Sequence, residues 1–550
     1  MFKRIQGLQI EQQIELLTRE LIEIQSYSGT NGEIHKAEWL FNFLQSFSYY
    51  QVHPDHLIIR EIENDSYERK NVFALLKSPK NTTKTVIYFA HFDTVGTEDF
   101  GSIQAIAHNP DALEKYFSTY KSDEDVMADA QSGEWLFGRG SLDMQSGVAV
   151  HVANLLYFSE HLDELDGNIL VMFNPDEERQ HTGIRGALSE LIRLKEKYAL
   201  EYVAALNNDL ISPLYPEDSN KYIYTGTAGK LLPCFAVFGR EAHVGESLSG
   251  IDPTTIASEI NLRINQNLDL VEKIEGELVL PPSCLYFRDD KKQYNVQTAL
   301  SARLYFNYFY YEKTPHAVLD GLAKIAEEAC HEFEARLKTS YSEFVKLNQL
   351  PKRDLSWTVE VTTLENYIGY LQGLRINEID RIIEGFQNTD LDEREAAYEI
   401  VDALQKLDPE KKPRVIIFYA PPFLPSNYLN LNNERGSSLS EKIQAVLEKE
   451  ATETGEIFKL RKYFPYLSDG SFLSFEDSEE EIRSLKRNFP ALDTLFPIPL
   501  EKMKELNIPS INVGVYGKDA HKWTERVYKP YSFGYLPRLI REITRALLQD

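Results

Sequence analysis

The sequence predicts an α/β protein: an α/β/α sandwich around a mostly parallel central sheet, carrying an inserted α+β domain. Three observations predict it. Short, continuously apolar runs bounded by turn residues alternate with stretches of helical periodicity, as expected for strands buried on both faces and joined by crossover helices. Near residue 222 the texture changes to alternating apolar and polar positions, which suits an antiparallel sheet with helices on one face. The length of 550 residues exceeds one compact core, so two domains, or one with a large insertion, are expected.

The elements follow in order. Ile10, Ile14, Leu17, Leu21 and Ile22 recur at helical spacing across 8–26. Ser28-Gly29-Thr30-Asn31-Gly32 breaks that pattern, and a second helix runs to about Phe47. Residues 71–76 and 85–90 are apolar runs between turn residues and read as core strands. A Gly-rich turn then precedes an apolar helix from Ser146 to about Phe158. Residues 168–173 and 203–206 read as two more core strands. The inserted domain is assigned to 222–413, with strands at 232–238, 300–311 and 357–361, helices near 253–270 and 315–338, and helical, charge-rich sequence to about Leu407. The apolar run 414–420 reads as a buried strand and is assigned to the return of the first domain, so that 1–221 and 414–550 form one unit. Residues 508–514 give a last core strand, and 531–548 a closing helix. The acidic run 476–481 reads as a solvated loop or helix face.

Composition narrows the function. A formal charge of −26 makes nucleic acid and anionic membrane surfaces poor partners, since both require clustered Lys and Arg. The three cysteines, Cys234, Cys284 and Cys330, have no C-x-x-C spacing, so neither a disulfide framework nor a thiolate metal site is implied. Any metal must therefore take N and O ligands. The first residues mix charge and apolar side chains too early for a secretory signal. No run of about 18 apolar residues is present. A cytoplasmic location is the default expectation.

Five stretches carry the chemistry: His91-Phe92-Asp93, Gly138 to Asp143, Asp176-Glu177-Glu178, Asp209 and His521. Each lies at or soon after the end of a predicted strand or in a tight turn, where ligands gather in parallel sheets. In His91-x-Asp93 the two side chains of an extended segment point the same way, so Asp93 can back the imidazole; a surface turn capped by Asp is the plain alternative. Asp143 follows Gly138-Arg139-Gly140 at a helix start, where it can bridge two metals about 3.5 Å apart or simply cap the helix. Adjacent Glu177 and Glu178 face opposite sides, so one can bind metal while the other serves as base; an acidic helix start is the alternative. The other histidines, His181 and His151 among them, read as ordinary helix or loop residues.

Together these residues resemble the co-catalytic zinc metallopeptidase family of carboxypeptidase G, aminoacylase, succinyl-diaminopimelate desuccinylase and tripeptidase. The match runs from Ile24-Gln25-Ser26-Tyr27-Ser28-Gly29 to His521, and within the family the chain is most similar to the arginine-utilisation branch. The resemblance implies a zinc-peptidase-like sandwich holding two Zn2+, with Co2+ or Mn2+ as alternatives. His91, Asp143 and Asp209 would hold one ion, and Asp143, Glu178 and His521 the other. Glu177 would be the general base and Asp93 the orienter of His91. The Asp143-Met144 peptide would be cis. The segment 222–413 would be the lid or dimerisation domain. There His243, in Glu241-Ala242-His243-Val244-Gly245, would assist catalysis and bind substrate with Gly250 and Asn307.

The chain departs from the family pattern in three places. Gln145-Ser146 stands where Lys-Gly is common, the lid strand has Asn307-Tyr308 near the usual Asp-x-Arg, and a longer acidic segment separates His91 from Asp143. The implied activity is metal-dependent hydrolysis of an amide bond in a small peptide or N-acyl amino acid, in arginine or other amino-acid catabolism, by a monomer or homodimer. The rival readings are a catalytically degenerate, metal-containing binding or regulatory protein and a mononuclear aminopeptidase-like enzyme.

Overall fold

The computed structural model describes residues 1–274, 276–386 and 391–549. They divide into two compact units: 1–227, 427–475 and 499–550 form the first, and 228–426 with 476–498 the second.

Unit 1 is built on an eight-stranded sheet ordered Leu57–Glu61, Lys70–Leu76, Asn168–Asn174, Lys84–His91, Glu201–Asn207, Ser510–Asn512, Lys221–Tyr224, Phe458–Arg461. The four middle strands from Asn168–Asn174 to Ser510–Asn512 are mutually parallel. The pairs Leu57–Glu61 with Lys70–Leu76 and Lys70–Leu76 with Asn168–Asn174 are antiparallel. The central strands read as unbroken apolar runs because helices cover both faces. On one face Val86, Tyr88, Ala90, Val171 and Leu206 pack with the helices Ile10–Glu23, Ser146–Glu160 and Leu536–Leu548. The Thr182–Tyr198 helix, which buries Ile184, Leu188 and Leu191, also packs on this sheet.

Unit 2 holds a second sheet, ordered Ser283–Asp289, Ser301–Tyr310, Pro233–Phe238, Arg414–Tyr419, Glu360–Thr363, with Gly229–Leu231 pairing on the far end of Ser301–Tyr310. It is antiparallel except for the parallel pair Glu360–Thr363 and Arg414–Tyr419. The helices Pro253–Ile264 and Pro315–Leu347 pack on each other and on this sheet. The helices Leu364–Gly373, Ile379–Glu384 and Glu393–Leu407 form a separate core with Cys234, Ala236, Ile416 and Phe418. The helices are therefore not gathered in one layer: Pro233–Phe238 and Arg414–Tyr419 are buried at every residue, so both faces of the sheet need cover.

The expected domain boundaries need correction at three points. Lys221–Tyr224 is a strand of the unit 1 sheet, so the crossing falls later than residue 222. Arg414–Tyr419 does not return to the first domain. It is a central strand of the second sheet, and the buried Arg414 guanidinium is held by Asp408 at 2.7 Å and Glu360 at 3.0 Å. The chain also visits unit 2 again over 476–498, where the acidic run opens the Glu479–Arg487 helix behind a Ser478 cap. Its glutamates sit in the first turn, where the helix dipole favours negative charge.

Candidate metal centre

The parallel strands of unit 1 aim their C-terminal ends at one place. His91 ends its strand, Asp176-Glu177-Glu178 follows Asn168–Asn174, and Asp209 follows Glu201–Asn207. His521 lies beyond Ser510–Asn512 with a left-handed backbone at φ 63°. This is where open α/β sheets bind ligands. Asp143 arrives on the turn before the Ser146–Glu160 helix, and its bond to Met144 is cis, as the resemblance implies. Gly140 has φ 77°, a conformation that glycine adopts without penalty. At Gly147 a Cβ would stand 2.3 Å from the Asn208 carbonyl oxygen, so the bare glycine lets the helix start pack against the strand end that carries Asp209.

The donors converge in two triplets that share Asp143. His91, Asp143 and Asp209 offer ligand atoms within 4.8 Å of one another, and so do Asp143, Glu178 and His521. His91 Nε2 lies 3.1 Å from Asp143 Oδ1, and His521 Nε2 lies 3.0 Å from Asp143 Oδ2 and 2.9 Å from Glu178 Oε1. Glu177 belongs to neither triplet; its Oε2 stands 4.0 Å from His91 Nε2.

A buried hydrogen-bond frame holds these groups. Asp93 accepts from the backbone N–H of Glu177 at 3.0 Å and Glu178 at 3.2 Å and from Ser28 Oγ at 2.6 Å. His91 Nδ1 lies 3.2 Å from the Asp93 carbonyl oxygen and 3.5 Å from Asp93 Oδ1, so Asp93 ties the imidazole to the Glu177-Glu178 segment. Arg69 braces the same segment through Asp176 at 2.5 Å. Gln145 links buried Lys36, at 2.8 Å, to the Phe92 carbonyl oxygen. The long acidic segment has a structural task. Its Asp125 and Asp129 bind Arg526 at 2.8 and 2.7 Å, and Arg526 in turn holds Asp519, two residues before His521, at 2.6 Å.

Glu525 anchors the Asp143 turn. Its Oε1 accepts from the N–H groups of Leu142 at 3.0 Å and Asp143 at 3.1 Å, while Oε2 meets buried Arg139 at 2.8 Å. Removing one partner of a buried pair leaves an uncompensated charge and typically costs about 3–5 kcal/mol. Glu525→Leu is expected to lower unfolding stability by that order in a denaturant titration; a change below about 1 kcal/mol would show that the anchor is dispensable.

The electrostatics calls for cations. Burial, with the charge of Asp143, raises Glu178 and Asp209 each to about 7. Burial also pushes Glu177 well above the carboxylate range. Hydrogen bonds to Asp143 and Glu178 raise His521 to about 11. Burial opposes a charged His91, yet Asp143 and Asp93 hold it well above the imidazole range. Asp143 and Asp93, bound to the imidazoles, are held below the usual carboxylate range, while the raised Glu177, Glu178 and Asp209 mark a pocket short of positive charge. Hard oxygen and imidazole donors in two triplets with a shared aspartate fit a pair of divalent ions.

Two further residues lie in the pocket. His181 Nδ1 donates to Asp469 Oδ1 at 2.9 Å and stands 3.9 Å from Glu177 Oε1. Reading His181 as a background histidine is thus corrected. The only local hint is its position four residues after Glu177; Asp469 gives none.

A family model described as Peptidase family M20/M25/M40 matches residues 88–346. Protein RocB of Bacillus subtilis (strain 168) is 51% identical over 550 residues, covering 100% of this chain and 97% of that protein. The chain belongs to peptidase family M20/M25/M40. The uncharacterized protein YqjN of the same strain is 32% identical over 547 residues, 98% of this chain and 97% of its own. Among solved structures, a Staphylococcus aureus tripeptidase has a TM-score of 0.50 at 14% identity, covering 98% of this chain and 99% of that one. Bacillus subtilis YxeP, a dinuclear metal binding peptidase from the M20 family, has a TM-score of 0.50 at 11% identity and covers 98% of each chain. These likenesses show the fold. Family membership makes the chain a peptidase-class hydrolase, and the two triplets sharing Asp143 are groups that could hold metal ions.

The remaining expected site residues belong to unit 2. His243 is exposed, and its Nδ1 accepts from the Gly245 N–H at 3.1 Å. Gly250 is buried next to the Arg240–Ile251 bridge. Asn307 is half-buried on Ser301–Tyr310 opposite Ser283. On the same strand Arg303 is committed to Glu399 at 2.7 Å, Glu395 at 3.1 Å and Asp402. No helix among the described residues is long and apolar enough to cross a membrane.

Proposed function

We propose that this chain hydrolyses an amide bond of a small peptide or N-acyl amino acid, with Glu177 as general base. The observation that carries the reading is Asp143, within 3.1 Å of His91 and 3.0 Å of His521, while Glu177 stands beside both donor triplets and belongs to neither. Two divalent ions, zinc first among the candidates, would be held by His91, Asp143 and Asp209 and by Asp143, Glu178 and His521; bound there they acidify water and polarise a scissile carbonyl. Glu177 takes the proton of the attacking water and delivers it to the leaving amine. Its burial, with the nearby charges of Glu178, Asp469 and Asp209, raises its basicity toward what such a transfer needs. Asp93 keeps His91 and the Glu177 backbone in register. The resemblance gives His243 a role in stabilising a developing oxyanion and Gly250 and Asn307 a role in binding substrate. Unit 2 is read as the lid or dimerisation domain, and the resemblance to the arginine-utilisation branch supports a substrate met in amino-acid catabolism.

The test is a screen of the zinc-reconstituted full chain against dipeptides, tripeptides and N-acyl amino acids. Turnover of at least one class is expected, lost on chelation and restored by metal. Two bound ions with no hydrolysis of any class would favour a binding or regulatory protein.

A further inference from the structure

The spacing that defines the two donor triplets occurs a third time in unit 1, on residues that neither triplet contains. Glu177, His181 and Asp469 offer one carboxylate oxygen, one imidazole nitrogen and a second carboxylate oxygen within 4.8 Å of one another. The donors nearest each other, His181 Nδ1 and Asp469 Oδ1, are 2.9 Å apart, and Glu177 Oε1 is 3.9 Å from the same nitrogen. Ligands about 2.1 Å from a tetrahedral ion stand roughly 3.4 Å apart, so small shifts bring all three to bonding distance. The ligands are held in place. Asp469 Oδ2 accepts from Asn174 Nδ2 at 3.2 Å, the His181 N–H donates to the Asp176 carbonyl oxygen at 2.7 Å, and the imidazole lies against the Phe472 ring. His181 and Asp469 are each 3% exposed.

Charge counting points the same way. Asp93, Asp143, Glu177, Glu178, Asp209 and Asp469 bring six carboxylates to this pocket. Two dications neutralise four of them, and Arg69 is already engaged by Asp65 and Asp176. Concentrated negative charge in a poorly solvated pocket draws cations.

We propose that Glu177, His181 and Asp469 form a third divalent-cation site, and that its occupation inhibits the enzyme by engaging the Glu177 carboxylate. The inhibitory half rests on the reading of Glu177 as general base; the binding half does not. Filling the site breaks the His181–Asp469 hydrogen bond and leaves the imidazole proton on Nε2, so the site fills after the other two.

The experiment uses the full chain loaded with two zinc equivalents and dialysed against rising free Zn2+, with bound metal counted directly and the rate followed on a substrate from the screen. A third equivalent per chain is expected, titrating at higher free zinc than the first two. The rate should fall at least about tenfold as it binds, since a base held by a cation no longer takes protons. Asp469→Asn and His181→Gln are each expected to keep two equivalents, which also reports correct folding, and to lose the third. The absence of a third equivalent, or its persistence in both variants, overturns the site. A third equivalent that the variants lose but that leaves the wild-type rate unchanged keeps the site and overturns Glu177 as the base.

Discussion

Glu177→Gln is expected to keep two bound ions and to lower kcat by about 10³-fold, within the range that a positioned general base contributes. The substitution preserves volume and one oxygen but removes the ability to take a proton. Metal content should hold because Glu177 lies outside both triplets, with its Oε2 4.0 Å from His91 Nε2. Its backbone N–H, not its carboxylate, forms the hydrogen bond to Asp93, so the frame around His91 should survive. Direct metal analysis together with steady-state rates decides the matter. A kcat within a few fold of wild type would remove Glu177 from the mechanism, and the loss of an ion would make it a ligand instead.

Asp143→Asn is expected to have the larger effect on metal. One side chain presents Oδ1 to His91 at 3.1 Å and Oδ2 to His521 at 3.0 Å, so each triplet depends on a different oxygen of the same carboxylate. An amide supplies one neutral oxygen and an NH2 that cannot ligate. Loss of an outer partner of a metal ligand weakens binding by roughly 10–100-fold; loss of the shared ligand should exceed that at both sites and abolish measurable turnover. The chain should still fold, because the turn is anchored through the Leu142 and Asp143 N–H groups on Glu525, which the substitution leaves in place. Two tightly bound ions in Asp143→Asn would refute a shared ligand.

Much of unit 1 is legible in the sequence. The strands expected at 71–76, 85–90 and 168–173 correspond to Lys70–Leu76, Lys84–His91 and Asn168–Asn174. Strands buried on both faces write themselves as unbroken apolar runs, and the polar residues after them stand out by contrast. That contrast exposes His91, Glu177, Glu178 and Asp209, while Asp143 is marked by the Gly-rich turn before its helix. Arg414–Tyr419 shows the limit: an apolar run identifies a buried strand but not the sheet that receives it. Its place beside Pro233–Phe238 and Glu360–Thr363 depends on register with distant strands and on the Arg414 ion pairs. The strand expected at 357–361 begins later, at Glu360. Trp357 supplies the apolar signal but spends its indole N–H on the Leu248 carbonyl oxygen at 3.0 Å, outside the ladder.

His181 and Asp469 escape notice for a related reason. Helix and strand periodicity reports which face of an element is buried, a local property carried by neighbours a few residues apart. It does not report which buried faces meet. By itself the sequence determined the α/β class, the core strands of unit 1 and the order of the five candidate stretches, through composition and short-range spacing. The tertiary structure alone decided that Glu525 and Arg139 hold the Asp143 turn, that 476–498 belongs to unit 2, and that Asp469 meets His181 from 288 positions away along the chain. Such meetings are fixed by how sheets and helices pack, and no local pattern in the chain encodes them.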